Sequence, residues 1–262
     1  MTSIYTNGDN PHFQYVLGLG DDALILGHRW SEWLSKGPNL ELDIAASNLA
    51  LDLIGQADLW LSYAAELQGE GKSSDDLAYL RDTHDFRCHW LTEQPNTDWG
   101  LSTARMLMFS VYQYIRYERL VNSSDERIAE IAKKALKEVT YHRRFATEWT
   151  MRLGLGTDES NRRLQKGFDT LWRFVPELFE TTAWEQELAD KGIAVASKDI
   201  EAEWTEVISA ILAEADITMA DTAGKRVIGS RHDGHHTEHL GHILAEMQFL
   251  QRAYPTAQGA TW

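Results

Sequence analysis

Cysteine, proline, long apolar runs and positive charge are all in short supply in this chain of 262 residues. A lone Cys88 excludes an internal disulfide framework and any metal site built on several thiolates. No run approaches the roughly 20 apolar residues of a membrane-spanning helix. The start, Met1-Thr2-Ser3-Ile4-Tyr5, lacks the basic stretch and apolar core of a secretory signal. Lys and Arg number 25 against 40 Asp and Glu, a formal charge of −15. That balance opposes nucleic-acid binding, whose affinity rests on cations that neutralise phosphates. The expectation is a globular, cytoplasmic protein that engages neither nucleic acid nor membrane.

What the chain does have is helical periodicity. The five prolines fall between periodic segments (Pro11, Pro38, Pro95, Pro255) or near the end of one (Pro176). That placement suits long helices, because an interior proline loses a hydrogen bond and clashes with the preceding turn. Threes-and-fours spacing of apolar residues predicts helices over about 12–35, 39–68, 74–92, 101–121, 124–153, 158–180, 182–190, 199–219 and 235–253. Ser123 with Glu126 has capping-box spacing, and Ser197 stands as a cap ahead of Asp199 and Glu201. Gly69, Gly71, Gly154 and Gly156 mark helix ends. No alternating apolar and polar run predicts a strand. The reading is all-α, a single domain over 1–262 with four long helices and further helices around them, and residues 1–11 as a loose arm.

Polar residues interrupt the apolar helices in informative places. Ala45 to Ala65 is apolar almost all round, as in a helix buried among neighbours. Asn48, Asp52 and Gln56 nevertheless form one i, i+4, i+8 line within it, with Tyr63 near the same azimuth. On the fourth long helix, Glu138 and His142 fall at an apolar face, and His28 and Glu32 make a matching pair on the first. Carboxylates and histidines projecting from bundle helices suggest a carboxylate-bridged di-iron site, which takes a Glu from each of two helices and a Glu-x-x-His pair from each of the others. The donor count falls short. Asp52 has Gly55, not histidine, three residues on; Glu138 is followed at that place by Tyr141, with His142 one residue late. From Leu101 to Tyr117 the only charges are Arg105 and Arg116. A set of hydrogen-bonded interior pairs without metal accounts for the same residues.

Two further features carry chemistry. His232, His235, His236, His239 and His242 lie within eleven residues, and His235 and His239 have the i, i+4 spacing of two metal ligands on one helix face. They are weak zinc candidates, since the stretch is not His-Glu-x-x-His; interface or helix-start histidines are the competing reading. Between Lys133 and Arg173, ten Lys and Arg stand against five Asp and Glu. Arg143, Arg144, Arg152, Arg162 and Arg163 make this a candidate patch for an acidic partner protein or a coenzyme A thioester, beside the plainer reading of solvated helix faces. No glycine-rich phosphate loop accompanies the patch: Gly18-Leu19-Gly20 sits before a helical stretch, but Asp21 and Asp22 would repel a phosphate there. Ten tryptophans among 27 aromatics suggest that some lie at an interface.

Six ordered blocks carry a resemblance over about Tyr15 to Gln251. They are LGDDALILGHRWSEWL (19–34), ELDIAASNLALDLIGQADLWLSYAAELQGEG (41–71), EQPN (93–96), KEVTYHRRF (137–145), LWRFVPELF (171–179) and HTEHLGHILAEMQFLQR (236–252). The sequence resembles the C-subunit (PaaC) family of the multicomponent phenylacetyl-CoA epoxidases. The resemblance implies a ferritin-like four-helix bundle with additional C-terminal helices, in a complex for aerobic phenylacetate degradation. It implies a catalytic A subunit that carries the di-iron site, a small B subunit, and a flavin and iron–sulfur reductase using NADPH and oxygen. This chain would then be structural, with no cofactor of its own and no catalytic residue. Glu32, Asp52, Gln56, Glu138 and His142 would form the remnant of a ligand set. An oxygen-activating di-iron enzyme with unusual ligands, and a zinc hydrolase using the C-terminal histidines, stand as the alternatives. Monomer and homodimer are both open for the isolated chain.

Overall fold

A computed structural model describes residues 10–219 and 231–254. Those residues form the helices α1 (Pro11–Ser31), α2 (Leu40–Gln68), α3 (Ser74–Tyr79), α4 (Trp90–Glu93), α5 (Trp99–Leu120), α6 (Glu126–Gly154), α7 (Asp158–Leu171), α8 (Ala183–Asp190), α9 (Glu201–Glu214), α10 (Glu238–Met247) and α11 (Phe249–Ala253). No strand occurs among them, so the fold is all-α as expected. None of these helices is long and apolar enough to cross a membrane. The expected N-terminal arm lies outside the described residues up to residue 9. Asn10 and Pro11 belong instead to the start of α1, where the Asn10 side chain accepts from the amides of His12 and Phe13 and Pro11 takes the first helical position. The chain divides into two compact units, 1–95 with 229–262, and 96–228.

In the first unit, α1 and α2 pack along one another. Close approach is set by glycine: a Cβ on Gly20 would stand 2.7 Å from Leu61 Cδ2, and one on Gly27 would stand 3.0 Å from Ile54 Cγ1. Gly18-Leu19-Gly20 lies inside α1 and does not precede a helix. α1 is buried almost throughout, whereas α2 departs from the all-round burial expected of it. Leu40, Ile44 and Leu51 are 70%, 53% and 67% exposed, and with exposed Asn48 and Gly55 they form one stripe along the helix.

The single helix expected over 74–92 is broken. After α3 the chain makes a 3-10 turn at Thr83–Asp85 and re-enters helix only at α4. The cause is competition for backbone donors. The amide of Arg87 donates to Asp21 (2.8 Å) and that of His89 to Asp22 (2.8 Å), so neither can close a helical turn.

In the second unit, α5 and α6 form the long hairpin, with α7 and α9 packed against it. Asp125, not Ser123, caps α6, accepting from the amide of Ile128 (3.0 Å), while the Ser123 hydroxyl donates to the carbonyl of Ile193 (2.7 Å). The helix expected over 158–180 stops at Leu171 and continues as a 3-10 segment, Trp172–Phe179, that contains Pro176. Ser197 does not cap α9 either. Its hydroxyl donates to Glu185 at 2.7 Å, so the buried carboxylate has displaced the local cap.

Candidate functional site

The densest interior charge of the first unit is built on two adjacent acids of α1. Asp21 and Asp22 are fully buried. Arg81 grips both oxygens of Asp21, with Nη1 at 3.0 Å, and its guanidinium stacks 4.0 Å from the centroid of the Phe86 ring. Asp22 holds His89, whose Nδ1 lies 2.8 and 2.9 Å from its two oxygens. Each acid thus meets a cation or a ring N–H as well as a main-chain N–H, which is what makes a buried carboxylate tolerable. His232 is packed beside this group. Burial pushes its imidazole down to about 2, helped by neighbouring Arg231, His89 and Arg87 and opposed by Asp22.

A few residues further on, Glu93 is also wholly buried. One of its oxygens accepts from Thr237 twice, from the amide at 2.8 Å and the hydroxyl at 2.5 Å. The other lies 2.6 Å from His236 Nδ1 and 3.8 Å from the sulfur of Cys88. The opposite ring nitrogen of His236 donates to the carbonyl of Phe86 at 2.9 Å. The Glu93 carbonyl takes the Arg29 guanidinium at 3.0 and 2.6 Å, and Arg29 also pairs with Glu32 at 2.6 Å. Sequence reasoning missed this cluster. Two charges side by side in the otherwise apolar LGDDALIL were the legible signal, and EQPN contains the third acid.

The other residues singled out by sequence are distributed as follows. Glu32 caps the end of α1; burial lowers the pKa of His28, and the Glu32 charge opposes that shift only in part. On α2, Gln56 is buried, Asp52 half-buried and Asn48 exposed, so the predicted line runs from the surface inward. In the second unit His142 is fully buried and Glu138 half-buried on α6. Each unit alone thus contributes two of Glu32, Asp52, Glu138 and His142. On α5, Arg105 and Arg116 are both buried. Arg105 donates to Asn96 at 2.5 Å; Arg116 lies 4.6 Å over the Tyr112 ring, and the Tyr112 hydroxyl continues to Ser197 (3.0 Å) and thence to Glu185. The only acid of α5, Glu118, is exposed and accepts from the Tyr114 hydroxyl.

The arginine patch is largely engaged with its own helices. Arg162 and Arg163 both bond Glu159, at 2.8 and 2.6 Å, and together hold its carboxyl down to about 2. Arg143 stacks on Tyr114 (3.9 Å), Arg152 lies over Trp149 (5.1 Å), and exposed Arg144 stands 3.7 Å from Glu148. The weak metal pair does not share a helix face. α10 starts only at Glu238, because Glu93 takes the Thr237 amide and holds the chain extended there. His235 precedes the helix, exposed, with its carbonyl accepting from Trp90 Nε1 (2.7 Å), while His239 lies within the helix.

Residues 2–262 match the family described as phenylacetic acid catabolic protein. The chain is 43% identical over 244 residues to the C subunit of the 1,2-phenylacetyl-CoA epoxidase of Escherichia coli strain K12, covering 93% of this chain and 97% of that protein. A match over nearly the full length, on an all-α fold, places this chain in the phenylacetic acid catabolic protein family.

Proposed function

We propose that this chain is the non-catalytic C-type subunit of a phenylacetyl-CoA epoxidase, bracing a catalytic di-iron subunit during aerobic phenylacetate breakdown. The observation that carries the reading is the charge inside α5. Where a di-iron bundle needs carboxylates from each long helix, α5 buries two guanidinium groups, Arg105 and Arg116, and no acid. A guanidinium group cannot ligate iron, so the buried part of α5 offers no carboxylate donor to an iron pair. Identity of 43% to the C-type component of an epoxidase supports the assignment of the complex. Exposed Leu40, Ile44 and Leu51, grouped on one stripe of α2 with Asn48 between them, support a chain that covers surface against another, since exposed apolar groups of this kind mark interaction sites.

Reconstitution tests the reading. The A and B subunits with reductase, NADPH, oxygen and phenylacetyl-CoA are expected to turn over fully only when this chain is added. Ring oxygenation by this chain and reductase alone would overturn it.

A further inference from the structure

Cys88, Glu93 and His236 present three ligating atoms, all within 4.8 Å of one another, and among the described residues they are the group of three or more Cys, His, Asp and Glu side chains that meets in this way. We propose that this cluster is a binding site for a single thiophilic divalent cation of the zinc class, independent of the iron chemistry of the complex.

The proton count is the first argument. The Phe86 carbonyl can only accept, so His236 Nε2 carries a hydrogen. The 2.6 Å contact between Nδ1 and Glu93 Oε1 requires a second one between them. Cys88, at 3.8 Å from the same oxygen, contributes a thiol proton. With one hydrogen on Nε2, one shared between Nδ1 and Glu93 and one on the thiol, the cluster carries no net charge. A divalent cation that displaces the thiol proton and the shared proton leaves thiolate, carboxylate, neutral imidazole and cation. That assembly is neutral as well. Two protons leave for solvent, no electron moves, and a buried site takes up a metal without changing its charge. This matters because Cys88 and Glu93 are fully buried and the His236 side chain is 1% exposed.

Ligand orientation is the second argument. His236 is fixed by its Nε2–H to a main-chain carbonyl, which aims Nδ1 at the centre of the cluster; metal-bound histidines are oriented in the same manner. Glu93 is fixed by Thr237 through its far oxygen, leaving the near one for the cation. Thiolate, imidazole and carboxylate are each donors that zinc accepts. With bonds of about 2.0–2.3 Å, neighbouring donors stand roughly 3.3–3.6 Å apart. The sulfur would close slightly on Glu93 and the imidazole would draw back by less than about 1 Å to reach that spacing. The site joins the segment 86–93 to the start of α10, so an ion there would fasten the C-terminal helices of the first unit.

The test is cobalt substitution in the full-length protein, equilibrated with Co²⁺ under reducing, metal-free conditions. We expect one Co²⁺ per chain with a tetrahedral d–d spectrum and a near-ultraviolet thiolate-to-cobalt charge-transfer band, which in a chain with one cysteine can come only from Cys88. Calorimetry with Zn²⁺ in two buffers should show protons released on binding, and Cys88→Ser and His236→Asn should each weaken Zn²⁺ at least tenfold. Cobalt bound without the thiolate band, as exposed His235 or His242 would bind it, overturns the proposal. So does Zn²⁺ affinity left unchanged by Cys88→Ser. The wild-type spectrum decides the matter even if a variant folds poorly, and it is indifferent to epoxidase activity.

Discussion

Arg81→Ala is expected to cost about 3–5 kcal/mol of folding stability, the loss typical when one partner of a buried ion pair is removed. Asp21 would remain with no side-chain access to water and would keep the Arg87 amide among its donors but lose the guanidinium. The packing of that guanidinium on Phe86 would go too. Urea denaturation reads the effect as a fall in midpoint at constant slope. A cycle with Asp21→Ala sharpens it. The double variant should be much closer to either single variant than to their sum, because the second substitution removes the charge that the first stranded. A loss below about 1 kcal/mol for Arg81→Ala would mean that water reaches the pair and screens it.

The second large effect is acid sensitivity. His232 is held neutral, with its pKa lowered to about 2 chiefly by burial, while in the unfolded chain it titrates near 6.5. Below that value the unfolded state binds a proton that the folded state refuses. Its contribution is therefore fully present above pH 6.5 and is lost progressively as pH falls from there towards 2. The expected slope is about 1.4 kcal/mol per pH unit below about 6, or about 1 kcal/mol between roughly pH 7 and 5.5. His28 is lowered by burial in the same direction and adds to the trend. His232→Gln should flatten the pH dependence of stability in this range, whatever it does to stability in mild alkali. An unchanged slope would show that His232 protonates freely in the folded protein.

Periodicity reveals where the long helices lie, since burying a stripe of side chains is what makes a helix in a protein. The limits of α2, α5 and α6 fall within two residues of those expected. What periodicity hides is competition from side chains far away in sequence. Asp21 and Asp22 lie more than sixty residues from the amides of Arg87 and His89 that they capture, and nothing local in residues 74–92 announces the break. Glu93 and Thr237 delay the start of α10 for the same reason, across 144 residues. Glu185 removes Ser197 from its cap likewise.

The shortage of carboxylates on α5 was legible, because a missing residue type needs no structure to be seen. Exposure of Leu40, Ile44 and Leu51 was not, because an apolar residue covered by its own fold and one awaiting a partner look alike in sequence. The five C-terminal histidines divide in the same way. Spacing favoured His235 and His239, whereas the fold turns His236 inward onto Glu93 and leaves His235 exposed.

Iron analysis of this protein, purified from iron-replete cells both alone and with a candidate catalytic A-type subunit, tests whether the reacting iron belongs to another chain. Well under one iron per copy is expected for this chain alone, with an iron content of the complex that follows the amount of the A-type subunit. Two irons per copy of this chain when alone, lost on substituting Glu138 or His142, would contradict it.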